Sequence, residues 1–244
     1  MPALQARGSL TSGFLLGAAA LLGLCPAPAR AQVGATLSAF NDLRFRGYSL
    51  SEGQPVAILD FAYDDASGLY VDAAATGVVR QGGNPAPLGV QLTGGYAMSL
   101  RSGTTIDVGM TQSTYSHYSP GEGPKSYTEL YAGLARGALS SRIFLSPHYS
   151  QPGLWTLYGE LNGGITPVRR WSLEGHVGML VPLRTPTGDQ EHYRTALDWR
   201  VGIARELGRL SLHLSWNEGA HGRNFYGDRA HSRGGVVVGA SLAL

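Results

Sequence analysis

The chain has 244 residues, of which only 15% are Asp, Glu, Lys or Arg, together with 35 glycines and a single cysteine. One cysteine excludes a disulfide scaffold, and a formal net charge of +2 excludes the strongly basic footprint of a nucleic-acid binder. The length suits one folding unit, and no change of composition along the chain marks a second.

The N-terminus reads as a secretory signal peptide over residues 1–31. Arg7 supplies a positive start, Phe14 to Leu24 an apolar core, and Ala29-Arg30-Ala31 a small-x-small cleavage site. The apolar run is well short of the roughly 20 residues a membrane helix needs. Leu24 stands before Cys25, where lipid attachment wants a small residue, so cleavage is expected after Ala31, leaving residues 32–244 as the mature chain without cysteine. Arg7 and Arg30 account for the formal charge excess, and the mature part is balanced.

Beyond residue 31 the pattern is period two. Leu88, Val90, Leu92, Gly94, Tyr96, Met98 and Leu100 alternate with small or polar residues, and Trp171, Leu173, Gly175, Val177 and Met179 alternate with Ser172, Glu174, His176 and Gly178. Tyr193, Thr195, Leu197, Trp199, Val201 and Ile203 alternate with Arg194, Ala196, Asp198, Arg200, Gly202 and Ala204, and Leu210, Leu212, Leu214 and Trp216 with Arg209, Ser211, His213 and Ser215. Breaks at Gly, Pro, Asn, Asp and Ser clusters give about twelve strands, at 33–43, 55–64, 68–79, 88–99, 103–115, 125–137, 139–148, 154–166, 170–182, 193–206, 208–217 and 231–244. Most have the length a tilted strand needs to cross a bilayer.

Long and short connections alternate. The long ones include 44–54, 80–87, 116–124, 183–192 and 218–230, whereas Asp65-Ala66-Ser67 and Leu207 are tight joins. A soluble sandwich has no reason for that alternation; an outer-membrane barrel does, with short periplasmic turns and longer outer loops. The last strand carries Val236, Val238, Ala240, Leu242 and Leu244 on one face, ready to close against the first. The expected fold is all-β: an antiparallel up-and-down transmembrane β-barrel of about twelve strands, its apolar face on outer-membrane lipid.

The stretch Asn41-Asp42-Leu43-Arg44-Phe45-Arg46-Gly47-Tyr48-Ser49, followed by Ser51, Gly53 and Pro55, resembles the opening of the TorF-type porins of proteobacteria. The likeness continues through Leu59-Asp60-Phe61, Gly68-Leu69-Tyr70 and Tyr127-Thr128-Glu129-Leu130-Tyr131-Ala132-Gly133-Leu134. The resemblance implies an outer-membrane barrel of a Gram-negative bacterium and brings no catalytic residues.

With apolar faces on lipid, Asp60, Asp72, Asp107, Glu129, Glu160, Glu174, His176, Arg194, Asp198, Arg200 and His213 point into the lumen. Such charges either tune a wet passage for small hydrophilic solutes or pair with one another in a closed interior. Arg44 and Arg46, alternating around Phe45 at the end of the first strand, share a face; they either hold an anion at the mouth or pair with Asp60 and Asp72. Three readings follow: a passive porin-like channel, a closed structural or surface-interaction barrel, and a lipid-modifying hydrolase.

The hydrolase reading rests on the His-x-Ser triplets His117/Ser119, His148/Ser150 and His213/Ser215, since period two sets each pair on one face. In the third triplet both side chains should face inward, away from lipid. His221, Asp228 and His231 match no recognised metal spacing, and no cofactor is implied. Tyr115, Tyr118, Tyr149, Tyr158, Trp171, Tyr193 and Trp216, near strand ends, are expected as interfacial anchors. Oligomeric state is left open by the sequence.

Overall fold

A computed structural model of the chain describes residues 31–116, 125–186, 193–219 and 234–244. Residues 1–30, His117, Tyr118, Ser119, His221, Asp228 and His231 lie outside the described residues, as does much of the long loops at 116–124, 183–192 and 218–230.

Twelve antiparallel strands close into a barrel. In chain order the wall consists of β1 (Gln32–Phe40), β4 (Val56–Asp64), β5 (Leu69–Val79), β6 (Pro85–Ser99), β7 (Thr104–Tyr115), β8 (Lys125–Arg136), β9 (Leu139–Ser146), β10 (Trp155–Val168), β11 (Trp171–Arg184), β12 (Ala196–Leu207), β13 (Leu210–Gly219) and β14 (Gly234–Ala243). Between β1 and β4 lies a small hairpin, β2 (Arg44–Phe45) and β3 (Tyr48–Ser49), paired only with itself. Each wall strand pairs with its neighbours in sequence, and β1 pairs with both β4 and β14, so no edge is left unpaired.

Alternation decides which side chains face out. Phe61, Val71, Leu92, Val201 and Leu214 stand on the outer surface, while Asp60, Thr93, Asp107, Asp198 and His213 on the opposite faces are buried. The outer face is therefore largely apolar, with one polar cluster of Gln112, Thr114, Ser126 and Thr128 on β7 and β8; the inner one is polar and aromatic. Among the described residues no helix is long and apolar enough to cross a membrane.

One end of the barrel is closed by tight joins. Gly137-Ala138, Arg169-Arg170 and Gly208-Arg209 are two-residue turns with φ above zero at Gly137, Arg170 and Gly208. The β4–β5 join is held by the Asp65 carboxylate, which accepts the Ser67 N–H at 2.8 Å. Leu207, expected to be a join, belongs to β12 because it still pairs with Leu210.

Three boundaries differ from expectation for identifiable reasons. The first strand stops at Phe40 instead of 43, because the Asn41 side chain accepts the Val238 N–H at 2.8 Å and donates to the Val236 carbonyl at 3.2 Å. That amide saturates the β14 edge and releases the backbone into the lumen. The fourth strand starts at Pro85, inside the loop expected over 80–87. Pairing passes from Thr76↔Gly89 to Gly77↔Pro87, so Leu88 is the extra residue of a bulge, a position where a proline-bearing strand loses no ladder bond. The bulge shifts the alternation, and Leu88 turns inward to be buried. The strand expected from 193 begins at Ala196, leaving Tyr193 to pack against the interior cluster.

Candidate functional site

The lumen is shaped by the segment between β1 and β4. Its backbone folds around one carboxylate: Asp42 accepts hydrogen bonds from the Ser49 hydroxyl at 2.5 Å, the Ser51 hydroxyl at 2.9 Å and the Gly53 N–H at 3.1 Å. Asp42 also accepts from Arg44 Nε at 2.9 Å. These contacts tie both arms of the hairpin to one buried anion.

The tip is Arg46-Gly47, with φ of 49° and 80°. Two consecutive left-handed residues make the turn whose twist matches paired strands, and Asn-Gly is its usual occupant. Arginine in that conformation costs about 1 kcal/mol, and its contacts offset this. Arg46 Nη2 donates to both oxygens of Glu129 at 2.9 and 3.0 Å. Its guanidinium lies 3.9 Å from the Tyr158 ring centre, 5.2 Å from Tyr149 and 5.5 Å from Phe144. Glu129, Phe144 and Tyr158 sit on β8, β9 and β10, across the ring from the β1/β4 root. The hairpin thus reaches the opposite wall.

Its flank meets the wall backbone to backbone. A Cβ on Gly47 would come within 2.3 Å of Gly219 Cα, so glycine at both places is required for the approach. Arg44 presses on β14, where a Cβ at Gly235 would meet its Nη2 at 2.7 Å. Beside the hairpin a small, partly enclosed cavity of about 30 Å³ is bordered by Arg44, Arg46, Glu129, Glu160, Asp198 and Arg200.

Two further networks line the wall. His176 joins Asn162 at 2.7 Å through Nδ1 and Asp198 at 2.8 Å through Nε2, while the Tyr158 hydroxyl donates to Asp198 at 3.2 Å. Gly178 leaves room for that hydroxyl, which lies 2.0 Å from where its Cβ would be. Toward the short-turn end, Arg142 donates to Asp107 through Nε at 2.9 Å and through Nη2. The Tyr70 hydroxyl donates to Asp107 at 2.6 Å and also meets the Tyr131 hydroxyl.

Of the residues expected to point inward, all but Arg194 lie on the inner face of the wall. Asp60, Asp107, Glu129, Asp198 and His213 are buried, Asp72, Glu160, Glu174 and Arg200 half-buried, all on inward faces of their strands. Arg194 is exposed, before β12 begins. Arg44 and Arg46 are corrected on two counts. They lie on the internal hairpin instead of the first wall strand, and the turn sends them apart. Their partners are Asp42 and Glu129, not Asp60 and Asp72.

Four of the expected interfacial anchors are also corrected. Tyr115, Tyr149 and Tyr158 are buried in the interior, where Tyr149 packs on Tyr127 with ring centres 4.7 Å apart, and Tyr193 joins the same cluster. Trp171 and Trp216 do face outward. His213 and Ser215 both face the lumen, and among the described residues the ring nitrogens of His213 have no hydrogen-bond partner, so the pair offers neither a lipid-facing position nor a nucleophile-to-base contact. His148 is exposed in a loop, accepting the Gly153 N–H at 3.1 Å. Asp42, Arg142, Phe144 and Tyr131 were not among the expected site residues. For Arg142 the signal was available, since Ser140, Arg142 and Phe144 alternate with Ser141 and Ile143.

Several solved structures share this fold. The NanC porin aligns with a TM-score of 0.58 at 12% identity over 86% of this chain and 100% of its own. The KdgM porin aligns at 0.53 and 10% over 86% and 99%, and an outer membrane channel from Pseudomonas putida F1 at 0.52 and 10% over 89% and 96%. Identities this low establish the barrel alone. No curated protein matches the sequence. A family model described as "bacterial protein of unknown function (Gcw_chp)" matches residues 26–233, and the chain therefore belongs to the Gcw_chp family.

Proposed function

We propose that the protein is an outer-membrane porin-like channel for passive diffusion of small hydrophilic solutes, exported through a signal peptide cleaved after Ala31. The observation that carries this reading is the two-faced wall: a closed barrel with an apolar outer face and a polar interior that holds a charge-lined cavity. The short-turn end then faces the periplasm and the long loops face out. The resemblance of Asn41 to Ser49 to TorF-type porins supports the same assignment. So does the barrel shared with the KdgM porin, which has also been solved in complex with disordered oligogalacturonate. The lumen charges named above would line the passage, and the hairpin would set its bore.

Liposomes carrying refolded residues 32–244 should swell in isotonic solutions of small sugars, faster for smaller solutes. Swelling no faster than that of empty liposomes would overturn the channel reading. A second reading, a closed structural barrel, is favoured by the contact of Gly47 with Gly219, which pins the hairpin from wall to wall. The same assay separates the two.

A further inference from the structure

The lumen does not balance its charges. Three arginines are each committed to a particular acid: Arg44 to Asp42, Arg46 to Glu129 and Arg142 to Asp107. Among the described residues Arg200 is the one other arginine on the inward mid-wall, and Glu174 stands beside it, since Glu174 pairs with Gly202 and His176 with Arg200 on the adjacent strand. Asp60, Asp72, Glu160 and Asp198 have no arginine committed to them; Glu160 accepts from Asn162 at 3.3 Å, and Asp198 is held by His176 and Tyr158.

Asp60 and Asp72 lie on the adjacent strands β4 and β5. Asp60 is opposite Ala74 and Asp72 opposite Ala62, which makes them inward-facing diagonal neighbours. Asp60 is 9% exposed, and its Oδ2 has no partner among the described residues. A carboxylate oxygen buried on the inward face of the wall and given no protein donor is a position for a cation or a protonated amine. Arg101, Arg169, Arg170 and Arg209 stand exposed on the short-turn rim, where salt screens them over about 10 Å or less. The mid-wall carboxylates act at closer range on anything that passes.

We infer that the passage selects for small cations, inorganic or amine-bearing, and that Asp60 and Asp72 are its selectivity-determining pair. The inference rests on the channel reading above. A narrow lumen with one excess sign concentrates the opposite ion and rejects its own.

The test is the reversal potential of residues 32–244 in planar bilayers under an approximately tenfold KCl gradient, with Asp60→Asn/Asp72→Asn and each single variant alongside. The expected result is a preference for K+ over Cl− of about threefold or more, falling toward parity in the double variant and part-way in the singles. Open channels with no preference, or with an anion preference, would overturn the selectivity inference alone. A cation preference untouched by all three variants would overturn the assignment to this pair. If the double variant does not fold, the singles and the wild-type gradient still decide. Silence from protein shown to be folded and inserted would overturn the channel reading, and this inference with it.

Discussion

The two ends of the lumen are built on opposite plans. At the long-loop end a hairpin narrows the bore and is held from several sides: Asp42 gathers both arms, Arg46 bridges to Glu129, and Phe144, Tyr149 and Tyr158 form the shelf under its guanidinium. Toward the short-turn end no chain crosses among the described residues, wall side chains bridge from strand to strand as Arg142 and Tyr70 do at Asp107, and both ring nitrogens of His213, with Asp60 Oδ2 at mid-wall, have no hydrogen-bond partner among the described residues. The first plan fixes geometry, because a buried charge held on several sides has one stable position. The second leaves charge available to whatever enters.

The contrast can be broken first at its tightest point. Arg46→Ala strands Glu129 in a buried site and should destabilise the docked hairpin by about 3 kcal/mol. Replacing both partners, as Arg46→Met with Glu129→Leu, should recover most of that loss. Denaturant unfolding of refolded protein reads both. Gly219→Val drives a side chain into the Gly47 backbone and should cost about 2 kcal/mol, appearing as protease cleavage within residues 42–54 of folded protein. Cleavage no faster than in wild type would show that the wall contact is loose.

Smaller changes sharpen the comparison from the wall side. Tyr158→Phe removes a hydroxyl that bonds Asp198 and His176 and should cost about 1 kcal/mol. His213→Phe, toward the short-turn end, should be neutral or slightly stabilising, within about 0.5 kcal/mol, because no hydrogen bond is lost there and Phe40 already packs at a centroid distance of 6.1 Å. A loss comparable to that of Tyr158→Phe would mean that the two ends are not built differently after all.

The wall was legible in the sequence because it obeys one rule. Leu197, Trp199 and Val201 face out and Asp198 and Arg200 face in by alternation alone, and the fold needs little more than that pattern and its turns. The hairpin was not legible, since Arg44 to Gln54 reads by composition as an outer loop. What folds it inward is non-local: the Asn41 amide on β14, the Glu129 carboxylate more than eighty residues away and the matched glycines at 47 and 219. The same gap explains the misplaced tyrosines. Tyr115, Tyr149 and Tyr158 sit at or near strand ends, as girdle residues do, but strand parity turns Tyr115 and Tyr158 inward, and Tyr149, in the loop between β9 and β10, packs into the same buried cluster. Leu88 escaped for a local reason, a bulge at the paired prolines Pro85 and Pro87 that reverses the alternation by one residue.

The central claim is that a conducting wall encloses a hairpin that sets the bore, and single-channel conductance tests it most directly. Residues 32–244 should be recorded beside a variant in which residues 42–54 are replaced by a short Gly-Ser link, both shown to be folded by circular dichroism. The account predicts small, steady steps for the intact chain and steps at least about twofold larger for the variant, as expected when a constriction inside a barrel is removed. Equal conductance from the two proteins, or none from either, would contradict it.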